Sequence, residues 1–284
     1  MKKLGRILTI AALSLGIASF GNVASAKDWK EVVIGTEGSF PPFNATNPDG
    51  TFYGFEIDLA DDLCARMKLK CTFMQQSFDG IIPALQAGKF DVIMSGMSQT
   101  PERAKVILFS RPYISGSPTF GVQKSGDLAN LPLNGQAFNL DSDPQGTEKA
   151  IEESKSALKG KIIGVQSGSV HAKFLEKYFA DTSTIRLYKS AQEQNLDLTS
   201  GRIDAIFASN SYLTKLGKES SSDDMIIAGP LFKGGMFGKG SSIGLRTDDT
   251  DLKAMFDEAI NAATADGTMK TLSTKWFGLD LSVY

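Results

Sequence analysis

The stretch DVIMSGMSQTPERAK, residues 91–105, places an arginine just after an apolar run and a group of hydroxyl side chains. Thr100 and Pro101 are typical of a helix start, because a hydroxyl accepts from a free backbone N–H and proline has no N–H to lose there. Arg103 is therefore predicted in the first helical turn, where a cation faces the positive end of the helix dipole. A bound anion would relieve that conflict, and a solvated surface arginine is the alternative.

A carboxylate and several aromatic rings form a second group of candidates. Glu37 follows an apolar strand and precedes Phe40 and Phe43. A carboxylate beside aromatic faces suits a ligand cation, which the ring faces also attract. Phe78, further along the chain, is a candidate for the opposite wall. Each ring taken singly also fits an ordinary core position.

Two parts of the chain repeat one design and indicate the elements that position these residues. The stretches IPALQAGKFDVIMSGMS and NLDLTSGRIDAIFASNS both give a helix, a glycine stop, one cation and an apolar strand with aspartate at its second position. Gly88 corresponds to Gly201, and Asp91 to Asp204. Strands that alternate with helices predict βαβ units and parallel sheets. We expect two similar α/β lobes; a chance likeness between common joints is the alternative.

The predicted strand ends indicate a cleft between the lobes. The stretches TEGSF, MSGMS, QSGS and ASNS are small and rich in hydroxyls, and ligands bind at the carboxyl ends of strands in open α/β sheets. Ser169 is a plausible helix cap that faces Arg103 from the other lobe. The Gly, Ser and Pro-rich segments FSRPYISGSPTF and GPLFKGGMFGKGSS are expected to cross between lobes and flex. Lobe 1 is predicted over 27–117 and 238–284, and lobe 2 over 118–237.

The amino terminus predicts export to the periplasm. Cations precede an apolar run, and Ala24 and Ala26 form the small-residue pattern of a signal-peptidase site, so residues 1–26 are predicted to be a cleaved signal peptide. A retained membrane anchor is the alternative, but the apolar stretch is short for a span. Without this segment, 27 cations remain against 32 acids, a net charge of −5, which argues against a nucleic-acid partner.

The cysteines and the histidine are few enough to limit the possible chemistry. Cys64 and Cys71 lie in LCARMKLKC, and an oxidising compartment favours a disulfide between the end of a helix and the next strand over free thiols. The one histidine, His171, lies far away, so neither a metal site nor a cofactor is expected. His171 is expected to be solvated in the first turn of its helix, with a direct ligand contact as the alternative.

The motifs together resemble a known family. The stretches IGTEGSFPPF, GFEIDLADDLCARM, FDGIIPALQAGKFDVIMSGMSQTPERAKVILFSRPY, IGVQSGS, LTSGRIDAIFAS and ADGTMKTLSTKWFG are similar to those of the periplasmic polar-amino-acid-binding proteins of ABC importers. Within that family the chain resembles the binders of lysine, arginine and ornithine and, more closely, those of octopine and nopaline. The resemblance implies the two-lobed type II periplasmic binding protein fold, an α/β architecture in which each lobe is a mixed, mostly parallel sheet flanked by helices and the lobes close on the ligand.

The resemblance also implies roles for individual residues. Arg103 matches the arginine that clamps the ligand's α-carboxylate, helped by Ser98 and the loop at Gly168 and Ser169. Glu37 stands where the basic-amino-acid binders have an aspartate for the ligand's distal cation. The implied ligand-binding set is Glu37, Phe40, Phe78, Ser95, Gly96, Met97, Ser98, Arg103, Gly168, Ser169, Ser209 and Asn210.

Besides Glu37, the chain departs from the family's pattern at two further places. Phe40 stands where the basic-amino-acid binders have a tyrosine. Where they hold the free α-ammonium with an aspartate, this chain has Ser209 followed by Asn210. A desolvated primary ammonium without a counter-charge loses several kcal/mol, whereas the secondary amine of an opine carries its own carboxylate. The departure favours an arginine-derived opine over free arginine, with an ordinary lysine, arginine and ornithine binder as the alternative.

Rival functions require features that the sequence does not supply. GSSIG, residues 240–244, matches the G-x-S-x-G pattern of hydrolases with a serine nucleophile. The nucleophile elbow of those enzymes also needs a helix directly after the serine and a histidine later in the chain. A dehydratase of the same fold would use Glu37 as acid or base and needs a raised pKa. A sensor head needs a membrane span and a signalling part. We therefore expect a binding protein that is no enzyme, acts as a monomer and delivers a small molecule to a membrane permease.

Overall fold

The computed structural model of the protein describes residues 27–219 and 224–283, so the predicted signal peptide lies outside the described residues. The strands are β1 (Glu31–Thr36), β2 (Ser39–Phe40), β3 (Asn44–Thr46), β4 (Phe52–Tyr53), β5 (Lys70–Gln75), β6 (Val92–Ile93), β7 (Leu108–Phe109), β8 (Pro118–Gln123), β9 (Ala137–Asn139), β10 (Ile162–Gln166), β11 (Thr184–Tyr188), β12 (Ala205–Ser209), β13 (Met225–Ala228), β14 (Leu231–Lys233) and β15 (Gly244–Leu245). The α-helices are α1 (Phe55–Met67), α2 (Ile81–Gln86), α3 (Pro144–Ala157), α4 (Val170–Tyr178), α5 (Ala191–Thr199), α6 (Asn210–Glu219), α7 (Thr250–Ala265) and α8 (Thr268–Phe277).

Two five-stranded sheets form the two lobes. The first has the order β5-β1-β6-β15-β7 and the second β11-β10-β12-β8-β13. In each sheet the first three strands are parallel, and the fourth pairs antiparallel with its neighbours. The predicted two-lobed α/β fold is confirmed. Strand β8 opens the second sheet at Pro118, but the proposed lobe limits at 117/118 and 237/238 stay predictions.

The repeat seen in the sequence has the same geometry in both lobes. Asp91 precedes β6 and accepts from the backbone N–H of Val33 in β1 at 3.0 Å. Asp204 precedes β12 and accepts from the N–H of Ile162 in β10 at 2.8 Å. A carboxylate at this joint fixes the register of two parallel strands in each lobe. Counting forward from Val33 and Ile162 pairs Glu37 with Gln166, each just beyond or at the end of its strand.

Helix α1 covers the first sheet and carries the disulfide. Its positions Phe55, Leu59 and Leu63 are fully buried, as the i, i+4 spacing predicts. Cys64, near the end of α1, is bonded to Cys71 in β5. The predicted disulfide is thus confirmed. It closes the short connection through which α1 returns to the sheet.

The two segments that connect the sheets run beside each other. Ser241 forms isolated antiparallel bridges with Ser98 and with Ile114. The N–H of Asn210, at the start of α6, donates to the carbonyl of Ser117 at 2.9 Å, and its side-chain oxygen accepts from the Ser117 N–H at 3.2 Å. Two connecting segments that run side by side in this way form a two-segment hinge between the lobes. That these segments flex stays a prediction.

The helix start predicted at Thr100 leads into a single turn that contains Arg103. The Thr100 hydroxyl accepts from the Arg103 N–H at 3.2 Å, as a cap does. Only a 3₁₀ turn follows, over Arg103–Lys105, before the chain extends toward β7. One turn builds almost no macrodipole, so the charge conflict expected for Arg103 is small. Across 27–219 and 224–283, no helix combines the length and apolar character needed to cross a membrane.

Candidate functional site

Two adjoining cavities lie between the lobes at the carboxyl ends of the parallel strands. The inner one measures about 40 Å³ and the outer one about 320 Å³. Phe40, Gly96, Ser98 and His171 line both. Phe78, Ser95, Arg103, Gln166, Ser169 and Gln194 line the inner cavity alone, whereas Ser117, Asn139, Ser209, Ser211, Lys233 and Lys239 line the outer one alone. The outer space has the size of a small-ligand site, and the inner one has room for a carboxylate.

Arg103 reaches across the cleft from lobe 1. Its guanidinium donates to the carbonyl of Ser98 in its own lobe at 3.0 Å and to the carbonyl of Gly168 in the other lobe at 3.1 Å. The ring of Phe78 lies 5.5 Å from the guanidinium carbon, within cation–π range. Burial lowers the pKa of Arg103 to about 10, so it stays charged at neutral pH. Among the described residues, this half-buried guanidinium donates only to carbonyls and to no carboxylate, so it can bind an anion.

Glu37 makes the second contact across the cleft. The side-chain amide of Gln166 donates to both carboxylate oxygens of Glu37 at 2.8 Å, and the Ser39 hydroxyl donates to one of them at 2.7 Å. Only 4% of Glu37 is exposed, and it lines neither cavity. Burial raises its pKa, an effect that the two side-chain hydrogen bonds partly offset. In this arrangement Gln166 lies between Glu37 and the cavities.

The buried carboxylate of Glu56 is hydrogen-bonded to the loop that follows β6. Both oxygens of Glu56 are used: one accepts from the Gly96 N–H at 2.7 Å and from the Tyr113 hydroxyl, and the other accepts from the Asn44 amide at 2.6 Å. Burial raises the pKa of this carboxyl. The Ser95 hydroxyl accepts from the Glu37 N–H at 3.0 Å. These bonds fix the backbone that lines both cavities.

Aromatic rings bring the lobes together beside this loop. Phe40 stacks on Tyr212 of lobe 2, with ring centroids 4.8 Å apart, and on Phe43 at the same distance. Phe40 therefore lies between lobes and forms one wall of both cavities, as predicted. Phe78 is 9% exposed and packs with the first lobe's core while its face covers Arg103. It lines the inner cavity together with Phe40.

Helix α4 presents its amino end to the inner cavity from lobe 2. The Ser169 hydroxyl accepts from the Ala172 N–H at 3.0 Å, the predicted cap. His171 does lie in the first turn, but the expectation that it is solvated is wrong. Its ring is half-buried, lines both cavities and packs edge-on against Phe207 at 5.8 Å between centroids. Burial, helped by the charge of Arg103, lowers its pKa to about 4, so the imidazole is neutral at pH 7.

The remaining members of the predicted set separate into lining and supporting residues. Ser209 ends β12 and lines the outer cavity, where its hydroxyl lies 3.3 Å from that of Ser211. Asn210 lines neither cavity, because its side chain is bonded to Ser117 in the crossing segment. Met97 is 1% exposed and packs in the first lobe's core, so its side chain does not line the cleft cavities. Gly168 contributes its carbonyl to Arg103.

Several cavity residues were missed by sequence reasoning. Gln166 was open to prediction, since it holds the place in lobe 2 that Glu37 holds in lobe 1. Gln194 is 1% exposed, and its amide nitrogen has no hydrogen-bond partner. Lys233 and Lys239 belong to a segment that the sequence identified only as a crossing. Nothing in the local sequence pattern marks Gln194, Lys233 or Lys239 as a cavity residue.

The described part of the chain contains neither a metal site nor a nucleophile elbow. No group of three or more His, Cys, Asp or Glu side chains is placed to hold a metal ion there. GSSIG leads into β15 (Gly244–Leu245) and not into a helix, so this segment is not a nucleophile elbow. Ser242 within it is fully buried.

Comparisons with known proteins agree with this geometry. The octopine-binding periplasmic protein of Rhizobium meliloti is 42% identical over 276 residues, covering 91% of this chain and 94% of that protein. The L-arginine-binding protein of Pseudomonas aeruginosa is 34% identical, over 99% of this chain and 98% of that protein. The crystal structure of a periplasmic His/Glu/Gln/Arg/opine family-binding protein from Silicibacter pomeroyi in complex with lysine superimposes with a TM-score of 0.69, at 31% identity over 89% of this chain and 100% of that one. Residues 32–279 match the sequence profile of the bacterial extracellular solute-binding proteins, family 3, and the chain belongs to that family.

Proposed function

We propose that this protein captures an arginine-derived opine in the periplasm and delivers it to the membrane permease of an ABC importer. Export through a cleaved signal peptide and action as a monomer without enzymatic activity are parts of the same proposal. The ligand's α-carboxylate binds Arg103 in the inner cavity, its distal cation binds Glu37 once the lobes part, and the substituent on its α-nitrogen occupies the outer cavity. The relatives named for octopine and arginine support a ligand built on arginine.

One observation carries the choice of an opine: among the described residues that line the two cavities, none is a carboxylate. A free amino acid brings a primary ammonium, which needs a counter-charge once it leaves water. In an opine such as octopine, the α-nitrogen is a secondary amine flanked by two carboxylates. The hydroxyls of Ser209 and Ser211 can accept from such an amine without supplying charge.

Glu37 supports a cationic ligand group in spite of its contact with Gln166. When the lobes part, Gln166 moves away with lobe 2 and leaves a two-oxygen acceptor in lobe 1. A guanidinium donates two parallel hydrogen bonds to such an acceptor. Gln166 thus holds the place of the ligand cation when the lobes are in contact.

An ordinary lysine, arginine and ornithine binder is the second candidate. Its support is the buried carboxylate of Glu37 together with the arginine-binding relative. An enzyme of the same fold is the third. The pKa of Glu37 is raised by burial, as acid catalysis needs, but both of its oxygens are hydrogen-bonded and it lines neither cavity. We therefore propose binding without catalysis.

Titration calorimetry with arginine, lysine, ornithine, octopine and nopaline tests the proposal. We expect octopine or nopaline to bind at least about tenfold more tightly than arginine, a difference of about 1.4 kcal/mol. Tight binding of arginine or lysine with no binding of either opine would establish the ordinary basic-amino-acid binder instead. Recovery of each ligand unchanged after long incubation, measured by mass spectrometry, is expected of a binding protein, and its conversion would reveal an enzyme.

A further inference from the structure

We infer that Lys233 and Lys239 form a subsite for the carboxylate that an opine carries beyond the α-carboxylate of its arginine part. Both lysines line the outer cavity. Lys233 ends β14, and Lys239 follows the 3₁₀ turn over Gly235–Phe237. The subsite rests on the proposed function and specifies how that site tells an opine from free arginine.

The lining of the outer cavity carries a net positive charge. No described carboxylate lines this cavity, and neither lysine forms an ion pair with a described acid. Asp141, which is bonded to the same loop through the Gly235 N–H at 2.6 Å, keeps its negative charge but does not line the cavity. His171, the remaining titratable group of the lining, is neutral at pH 7 because burial lowers its pKa to about 4. The electrostatic potential in the outer cavity is therefore positive, because its lining carries the two exposed lysine ammonium groups.

The order of the groups along the cleft fits a ligand with two neighbouring carboxylates. Arg103 lines the inner cavity alone and the lysines line the outer one alone, with Ser98 and Gly96 at the junction. In an opine the second carboxylate is attached through one carbon to the α-nitrogen. A ligand whose α-carboxylate binds Arg103 must direct that substituent into the outer cavity, since the inner one, at about 40 Å³, is too small for both. Free arginine has no group for the lysines.

The test is calorimetry with octopine and arginine on wild type and on the double variant Lys233→Ala/Lys239→Ala. We expect octopine affinity to fall about tenfold and arginine affinity to stay within about twofold, because exposed charge pairs each contribute modestly. The loss should shrink in 0.5 M salt, where screening weakens such pairs. Lys233→Arg/Lys239→Arg keeps both charges and should retain octopine binding.

The matched control is Lys89→Ala/Lys159→Ala. These two exposed lysines precede β6 and β10, at the opposite ends of the strands from the cleft, and their removal changes the net charge equally. We expect the control to bind octopine as wild type does. An equal loss in the control would show a general charge effect and overturn the subsite.

The outcomes separate the subsite from the proposed function. If wild type prefers octopine and the cavity double variant binds it unchanged, the subsite is wrong and the proposed function stands. A parallel loss of octopine and arginine would also overturn the subsite, because it would show no selection for the second carboxylate. If wild type binds arginine but no opine, or binds neither, the proposed function fails and the subsite fails with it.

Discussion

Glu37 and Gln166 occupy the same place in two lobes of the same design, yet they differ in charge. Each lies at the end of a parallel strand whose register is fixed by an aspartate, Asp91 in lobe 1 and Asp204 in lobe 2. The amide of Gln166 donates to both oxygens of Glu37. Had the repeat been faithful, two carboxylates would meet and repel. The two strand ends are complementary because one carries a carboxylate and the other an amide.

Under the proposed function, the two lobes contribute different kinds of ligand contact. Lobe 1 supplies the guanidinium of Arg103 and the aromatic wall of Phe40, both held on a backbone that Glu56 fixes. Lobe 2 supplies hydroxyls, the capped start of α4 and Lys233, and Lys239 lies on the segment that returns to lobe 1. Charged recognition of the ligand's arginine part would thus belong mainly to lobe 1, and recognition of its substituent to lobe 2 together with this returning segment.

The largest effect is expected from Arg103→Ala, which removes the cation that lobe 1 extends toward lobe 2. Affinity should fall at least about thirtyfold, since removing one partner of a desolvated charge pair costs about 2 to 5 kcal/mol. The thermal midpoint of the ligand-free protein should change little, because Arg103 loses only bonds to two carbonyls. Titration calorimetry measures the affinity, and scanning calorimetry measures the thermal midpoint. Arg103→Lys is the charge-retaining control, and undiminished affinity of Arg103→Ala would return the residue to a structural role.

A smaller effect is expected from Gln166→Glu, which makes the two lobes alike. Two carboxylates in hydrogen-bond range repel by up to about 4 kcal/mol at an effective dielectric of 20, so the lobes should separate. The radius of gyration by X-ray scattering should rise, and ligand affinity should fall about tenfold. The exchange Glu37→Gln/Gln166→Glu restores one amide and one carboxylate and should restore the compact form. A single variant as compact as wild type would show that this contact does not hold the lobes.

The smallest effect is expected from His171→Gln, which removes a half-buried titratable ring from lobe 2. Burial lowers the pKa of His171 from 6.5 to about 4, so the folded protein binds fewer protons than the unfolded chain between these values. Its contribution to stability is therefore fully present above pH 6.5 and is lost as the pH falls toward 4. Between pH 6.5 and 4, the free energy of unfolding should fall by about 1 to 2 kcal/mol less in the variant than in wild type. Urea unfolding at each pH measures this difference. Identical pH profiles would show that the ring is as solvated as its local sequence suggested.

The sequence predicted what local patterns and repetition specify. Apolar spacing identified α1, and the repeated joint identified Asp91 and Asp204 and hence two lobes. The hydroxyl of Ser169 identified a cap. These predictions succeed because each depends on a few neighbouring residues. The ligand contacts assigned to Glu37 and Phe40 from their places at a strand end stay predictions. The helix start at Thr100 leads into only one 3₁₀ turn, a length that no local pattern specified.

What the sequence missed depends on contacts between distant segments. His171 appeared solvated because its burial comes from Phe207 and Phe237, which belong to other elements. Asn210 was assigned to the ligand, but its side chain is bonded to Ser117 in a crossing segment. Glu56 was not singled out from the sequence, because its bond to the Gly96 N–H depends on the fold. Only Gln166 could have been found earlier, by extending the repeat to the strand ends.

Ser209→Asp tests the central claim most directly, namely that the cleft holds an α-nitrogen that already carries a carboxylate. The new acid would face the second carboxylate of an opine, and such charges repel by several kcal/mol at an effective dielectric of about 20. The same acid would pair with the primary ammonium of free arginine. Measured by calorimetry on wild type and variant, octopine or nopaline affinity should fall at least about tenfold while arginine affinity is kept or raised. Should the variant instead lose arginine and retain the opine, or should wild type bind only free basic amino acids, the account is contradicted.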